Sequence, residues 1–207
     1  MPVYLQKGSI MLWNNTPVTE HNRDHLDVKV NRIESSKRTA NGLIRKYVIA
    51  DKRTWSTSWT TLPDLTTSTV DGQQGGLWIE NFYNTTRGAF TLKVMPLGSV
   101  VLTTGTSIIT TSSPHKLNVG DTVQLGTIAT TTGVLANTTY YVISTPTNST
   151  LTISAVLGGS LLVFTNTGSA ASLGAVFTVV FSEFHKSIKK RVGLYNDCDI
   201  SVSLEEV

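Results

Sequence analysis

The distribution of charge along this 207-residue chain is the feature that most restricts its fold. Between Val94 and Ser182 only Lys116 and Asp121 carry a formal charge, whereas charged residues are frequent on both sides of that stretch. We interpret the two flanks as halves of one charged unit and the middle as a separate module inserted into it. The sequence therefore predicts a discontinuous β-sandwich host domain at residues 1–97 and 175–207, and an inserted Thr/Gly-rich β domain at residues 98–174.

The overall composition indicates a globular protein. Hydrophobic residues make up 40% and charged residues 15% of the chain, whereas disorder requires low hydrophobicity and high net charge. The net charge of +3 comes from basic residues mixed with acidic ones, so it does not indicate a nucleic-acid-binding protein. The N-terminal sequence lacks the apolar segment of a signal peptide, and the longest strongly apolar run, Ala175–Phe181, is too short for a bilayer. We therefore expect no membrane insertion.

The clearest local signal is a long β-hairpin. Apolar and polar residues alternate in His25–Arg38 and again in Leu43–Ala50, with Asn41-Gly42 between them. Asn-Gly between two strands is a strong hairpin signal because both residues tolerate positive φ. The tip is basic, and its length and charge suit an arm that reaches a neighbouring subunit. The candidate interface residues are Lys37, Arg38, Asn41, Gly42, Arg45 and Lys46.

The rest of the host domain is also predicted to be mainly β. A third strand, Arg53–Thr61, places Trp55 and Trp59 on one face, which predicts core burial, with a carbohydrate or partner platform as the alternative. Leu77–Tyr83 is the one predicted helix, a short one. Three closing strands are predicted at Val176–Phe184, Ile188–Arg191 and Asp199–Glu205. The predicted fold is a two-sheet sandwich or barrel-like host domain with one short helix, plus an inserted small all-β domain.

The sequence of the insert predicts a series of short strands separated by turn residues. Such spacing is typical of a small sandwich or barrel. The predicted strands are Val100–Thr103, Ile108–Thr110, Thr122–Leu125, Thr139–Ser144, Thr150–Ala155 and Leu161–Thr165.

No catalytic motif is present in the sequence. His21 and His25 lie near two aspartates, but this segment borders a strand pattern, and a solvated turn explains it better than a metal site. Cys198 falls on the apolar face of its strand and is predicted to be a buried, inert thiol. The basic stretch Lys186–Arg191 could contact phosphate, although an exposed strand beside an acidic C-terminus is the interpretation that we favour. We expect no catalytic residue, metal or cofactor, and therefore no enzyme.

Two parts of the chain carry a resemblance to known proteins. The insert contains Pro114–Leu125, with His115, Leu117 and Gly120-Asp121, followed by Ala136–Ile143 and Gly158-Gly159. This pattern resembles a β module found in virion proteins of tailed bacteriophages. The host domain is similar to small phage tail structural proteins, on the stretches Arg38–Gly42, Tyr47–Trp59 with Leu62-Pro63, Asp71-Gly72 and Ser201–Val207.

The resemblance implies a two-sheet β fold that builds rings or tubes and often bears an extra surface domain. The expected function is a virion structural protein, specifically a tail-tube ring subunit with the insert on the outside. The alternative is a distal-tail, baseplate or fibre-associated binding component. The implied partners are copies of the chain itself, with a hexameric ring as one option, other tail proteins, passing DNA in transient contact, and a host surface glycan. The implied location is the phage tail, after synthesis in the cytoplasm of the bacterial host.

Overall fold

A computed structural model describes residues 11–193 and 195–207. The protein is mainly β with one α-helix in that range, which confirms the predicted fold class. The chain forms two compact units. The arm unit consists of Val18–Phe90 and Thr178–Val207, and the insert unit consists of Thr91–Phe177 with residues 11–17. The predicted insert at 98–174 lies wholly within the insert unit.

The described residues form fourteen strands and one α-helix. In chain order they are β1 (Met11–Trp13), β2 (Thr16–Pro17), β3 (Arg23–Arg38), β4 (Ile44–Pro63), α1 (Gly76–Thr85), β5 (Phe90–Leu97), β6 (Val100–Thr103), β7 (Ile108–Thr111), β8 (Thr122–Leu125), β9 (Ile128–Ala129), β10 (Thr139–Thr147), β11 (Thr150–Ser154), β12 (Gly168–Ala170), β13 (Leu173–Val192) and β14 (Tyr195–Glu206), with a 3₁₀ turn at Thr66–Ser68.

The arm unit is built on an antiparallel sheet in which β3 pairs with β4, β4 with β14, and β14 with β13. Trp55 and Trp59 are buried on one face of this sheet, opposite Leu204 and Ile200 of β14. The predicted core role of the two tryptophans is thereby confirmed. We call this face the inner face and the opposite one the outer face. Alternation along each strand assigns the sheet residues to one of these faces, and the alternation changes phase at each bulge, as at Ile49 of β4.

Helix α1 packs on the inner face. Its Ile79 is fully buried, and the Tyr83 ring stacks on Phe184 of β13 at a centroid distance of 4.4 Å. The helix begins at Gly76, where a Cβ atom would lie 2.7 Å from the Sγ of Cys198. A larger residue at this position would force the helix away from the sheet. The predicted helix at Leu77–Tyr83 is confirmed, with one residue more at its start and two at its end.

Two pairs of predicted strands are single strands in the structure. Arg53–Thr61 and all of Leu43–Ala50 except Leu43 are parts of β4, which is 20 residues long. The polar residues between them do not break the strand because Asp51 pairs directly with Arg32 of β3. Val176–Phe184 and Ile188–Arg191 likewise belong to β13, whose ladder with β14 continues between them.

The insert unit has its own apolar core, made of residues from Val100 to Leu173. Its strands pair antiparallel: β6 with β7 and β12, β12 with β9, β8 with β10 and β13, and β11 with β10 and β7. At the edge of the unit, β1 pairs with β2 and β5.

Five of the six strands predicted in the insert are found, and the sixth prediction is wrong. Leu161–Thr165 is not a strand, although Phe164 is buried in the core. In place of a hydrogen bond to a neighbouring strand, the Phe164 backbone N–H donates to the Ser107 side-chain oxygen over 3.1 Å. The pairing role falls instead to β12, which lies between β6 and β9.

Candidate interaction site

The distal part of the β3–β4 hairpin extends beyond the sheet as a two-stranded arm. β14 pairs with β4 from Thr54 to Pro63 and not beyond. Residues 30–53, which we call the arm, therefore pair only with one another among the described residues. No arm residue is buried. Because an isolated two-stranded hairpin is at best marginally stable in water, the arm would gain stability from a partner.

Large apolar side chains are exposed along the whole arm. Tyr47 is 72% exposed, whereas Trp55 on the same strand is 2% exposed. Concentrations of exposed apolar residues mark interaction surfaces, while single ones are ordinary. The residues that form this concentration are Val30, Ile33, Leu43, Ile44, Tyr47, Val48 and Ile49.

The tip of the arm brings together all six residues predicted as the interface. The Thr39 N–H donates to the Leu43 carbonyl over 2.9 Å, and the Gly42 N–H donates to the Thr39 carbonyl over 2.8 Å. Gly42 has a φ of +81°, but Asn41 is not among the residues with positive φ. Of the two residues that mark the hairpin, only Gly42 therefore adopts positive φ. The loop has three residues, and only the last one needs the left-handed conformation that glycine favours.

The charges on the inner face of the arm are largely paired within the chain. Arg32 Nε lies 2.9 Å from Asp51 Oδ1, and Lys46 Nζ lies 2.8 Å from Glu34 Oε1. The hydrogen bond from Arg32 holds the pKa of Asp51 below its usual range. At the base of the arm, the Arg53 backbone N–H donates to Oε2 of Glu206 over 2.9 Å. Apolar Val30, Ile44 and Val48 lie on the same face as these charges, and this face continues into the core around Trp55.

The outer face of the arm carries cations without counter-charges. Lys37 and Arg45 lie directly opposite each other near the tip, and Lys52 lies opposite Asn31 nearer the base. None of these three cations forms an ion pair with any residue that the structure describes. Like charges directly opposite in a sheet destabilise it. The unpaired cations make the outer face of the arm suited to binding an anionic partner.

The outer face of the remaining sheet has the opposite character. Asp27, Ser56, Ser203 and Glu183 lie in one row across the four strands. Glu205 lies two residues beyond Ser203 on β14, and both Glu183 and Glu205 are exposed. Near its base, this face of the sheet therefore carries three carboxylates and one cation, Lys29, among serine residues, whereas along the arm it is basic.

A largely buried charged cluster in the arm unit joins the sheet to Asp64 before α1 and to Glu80 within α1. Lys186 Nζ donates to Asp64 Oδ1 over 2.7 Å and to Glu80 Oε2 over 2.9 Å. Burial opposes the charge of Lys186, but these hydrogen bonds outweigh it and raise its pKa. Asn196 donates to the second Asp64 oxygen over 2.9 Å. The carboxylates and the ammonium satisfy one another, as expected of a structural link.

Cys198 is buried beside this cluster, as predicted. Burial raises the pKa of its thiol to about 12. Its Sγ donates to the Leu62 carbonyl over 3.2 Å. A nucleophilic cysteine needs a thiolate, so a thiol with this pKa is unreactive at neutral pH.

The two histidines near the start of β3 have separate roles. The His21 Nδ1 accepts a hydrogen bond from the Val70 backbone N–H over 3.0 Å, whereas His25 lies 2.8 Å from Asp24 and 3.4 Å from Asp27. In residues 11–193 and 195–207, no group of three or more His, Cys, Asp or Glu side chains is arranged to hold a metal ion.

The insert unit has a polar groove of about 430 Å³. His115 lies in its wall, where Nδ1 accepts from the Leu117 N–H over 3.0 Å and Nε2 faces the Thr147 carbonyl at 3.2 Å. Lys116 is the one charged residue of the lining. The groove offers hydroxyl, amide and carbonyl groups with a single cation.

Sequence reasoning found the tip of the arm but missed the separation of charge between its faces. That separation depends on the β3–β4 register, in which Ile49 of β4 is an extra residue opposite the step from Ile33 to Glu34. Before the register is known, no residue on β4 can be assigned to a partner on β3.

Comparison with protein-family models and with curated proteins finds no significant match for the chain. The described residues include no helix with the length and apolar character needed to cross a membrane.

Proposed function

We propose that this chain is a structural subunit that assembles with copies of itself through the arm. From its resemblance to phage tail proteins, we propose further that it is a virion structural protein of a tailed bacteriophage, a tail-tube ring subunit that carries the insert unit as an added domain. The proposal assigns no catalytic step and no cofactor to the chain. Its partners are its own copies, other tail proteins and, in transit, DNA.

The observation that carries the proposal is the exposure of the arm. Among the described residues no further strand pairs with residues 30–53, and seven large apolar side chains of this segment are exposed. Unpaired strand edges are templates for pairing with another chain, and soluble proteins usually protect them. A ring of subunits would cover such edges repeatedly. Assembly therefore explains why a chain with a well-packed core keeps a long uncovered hairpin.

Electron microscopy of the purified chain over a range of concentrations tests the proposal. We expect rings or tubes of uniform diameter, and quantitative mass spectrometry of virions that contain the chain should find many copies per particle. A chain that remains monomeric at every concentration, and that is absent from particles, would contradict the proposal.

The groove in the insert unit favours a second candidate function. Its wall of hydroxyl, amide and carbonyl groups between Pro114 and Asn148 matches the hydrogen-bonding chemistry of a glycan. The chain would then be a distal-tail, baseplate or fibre-associated component that binds a host surface glycan. Two results would favour this function over that of a tube subunit. Each particle would contain only as many copies as form one ring, and the chain would bind a glycan in a way that Lys116→Ala and Asn148→Ala abolish.

A further inference from the structure

We propose that the basic outer face of the arm docks on the acidic outer face of the sheet in a second copy of this chain. In the proposed contact, Lys37 and Arg45 of one copy form ion pairs with Glu183 and Glu205 of the next copy. This inference rests on the proposed self-assembly and adds which surfaces meet.

The two surfaces match in charge and in spacing. Lys37 and Arg45 are directly opposite, so their Cα atoms are about 4.5–5.5 Å apart. Glu183 lies opposite Ser203, and Glu205 lies diagonally from it across the bulge at Ser182, where a regular ladder would give a spacing of about 7–8 Å. Both pairs project from the outer face of an antiparallel ladder, and their long side chains can accommodate the difference between the two spacings. Two adjacent cations thus meet two adjacent carboxylates.

The contact cannot form within one copy. Glu205 shares a row with Thr54 and Lys29, at the base of the arm. Lys37 is eight residues further along β3, which corresponds to about 27 Å of extended strand. The side chains are much shorter than this distance. The carboxylates must therefore come from another molecule if they are to neutralise the tip.

A second copy is favoured over a nucleic acid because each copy supplies both surfaces. The inner face of the arm neutralises its own charges through pairs such as Arg32–Asp51, so an uncompensated outer face indicates a directional contact. Within the described residues, Glu183 and Glu205 form no ion pair either, and both are exposed. Because the basic and acidic surfaces lie at different places on one sheet, each copy binds one neighbour by its arm and another by its sheet. Such a head-to-tail contact builds closed rings or open helical assemblies.

Reciprocal charge reversal in the full chain tests the assignment by sedimentation velocity at low ionic strength. We expect Lys37→Glu with Arg45→Glu, and separately Glu183→Lys with Glu205→Lys, to weaken self-association by at least about tenfold. An equimolar mixture of these two variants should co-assemble, because each supplies the surface that the other has lost. The variant that carries all four changes should also assemble. Monomer melting temperatures should not change, since the four side chains are exposed.

A matched control distinguishes the two faces of the tip. Arg38 is adjacent to Lys37 but lies on the inner face, so Arg38→Glu should weaken assembly less than Arg45→Glu does. Equal effects of these two changes would overturn the assignment. It would also be overturned if both double variants assembled like the unmodified chain, or if reversal at the tip abolished only binding to duplex DNA. Failure of the unmodified chain to assemble at all would instead contradict the proposed function.

Discussion

Lys186 of β13 and Asp64 form a buried ion pair with a separation of 2.7 Å between Nζ and Oδ1, although they are 122 positions apart in the chain. Their side chains are 11% and 8% exposed. Removing one partner would leave the other charge buried without compensation. We therefore expect Lys186→Met to lower the free energy of unfolding by about 3–5 kcal/mol, measured by urea denaturation.

The exposed pair of Lys189 and Asp199 provides the control for this change. Lys189 is 56% exposed, so Lys189→Met should cost less than about 1 kcal/mol. The double variant Lys186→Met with Asp64→Asn should be more stable than Lys186→Met alone. Equal stability of the Lys186→Met and Lys189→Met variants would show that the buried pair does not hold α1 against the sheet.

The pKa of Cys198 predicts a loss of stability in alkali. The folded-state pKa of about 12 lies above the ordinary thiol value, so the folded protein retains a proton that the unfolded chain loses. The stabilisation is complete below pH of about 8.5 and declines above it, by up to about 1.4 kcal/mol per pH unit. Urea denaturation between pH 8.5 and 10 should show this decline, and the Cys198→Ala variant should show a smaller one. Identical slopes for the two proteins would mean that the thiol is not buried in the neutral form.

The two faces of β4 predict opposite outcomes for two aromatic substitutions. Trp59 is fully buried, and its Nε1 donates to the Thr19 carbonyl over 2.9 Å, so Trp59→Ala should destabilise the protein by about 3–5 kcal/mol. Tyr47→Ala should leave the thermal melting of the monomer unchanged because the ring is exposed, but it should weaken assembly. A stable Trp59→Ala variant that has lost a binding activity would instead support the platform interpretation of the tryptophans.

The part of the insert unit that contains its apolar core should fold without β1, β2 and the arm unit. All buried members of its core cluster lie between Val100 and Leu173, and Leu97 packs against them. A fragment of residues 97–176 should therefore unfold cooperatively in urea and give dispersed NMR amide signals. A fragment that is soluble only as a collapsed chain without cooperative unfolding would contradict the predicted boundaries at 98 and 174.

Local signals in the sequence were enough to predict the strands and the hairpin tip. Alternation identified the Trp55 face, and Asn41-Gly42 marked the turn within one residue. The same reasoning failed at Leu161–Thr165, because one buried aromatic residue made an irregular segment resemble a strand. It also divided β4 at Asp51, since a charge that is satisfied across the sheet cannot be distinguished from a break in the strand.

The features that define the candidate site depend on register and on distant contacts. The charge of Lys37 is visible in the sequence, but its position opposite Arg45 follows from the bulge near Ile33. The exposure of Tyr47 depends on where β14 ends, at the far end of the chain. Neither fact is encoded within a window of neighbouring residues.

Shortening the arm tests the central claim most directly. Val30 and Arg53 pair directly, so residues 31–52 can be replaced by an Asn-Gly turn that closes the hairpin at that row. The assembly state of this variant and of the unmodified chain would be compared by sedimentation velocity at equal concentrations. We predict that the shortened chain melts at the temperature of the unmodified monomer and sediments as a monomer where the unmodified chain assembles. A shortened chain that assembles as well as the unmodified one would contradict the account.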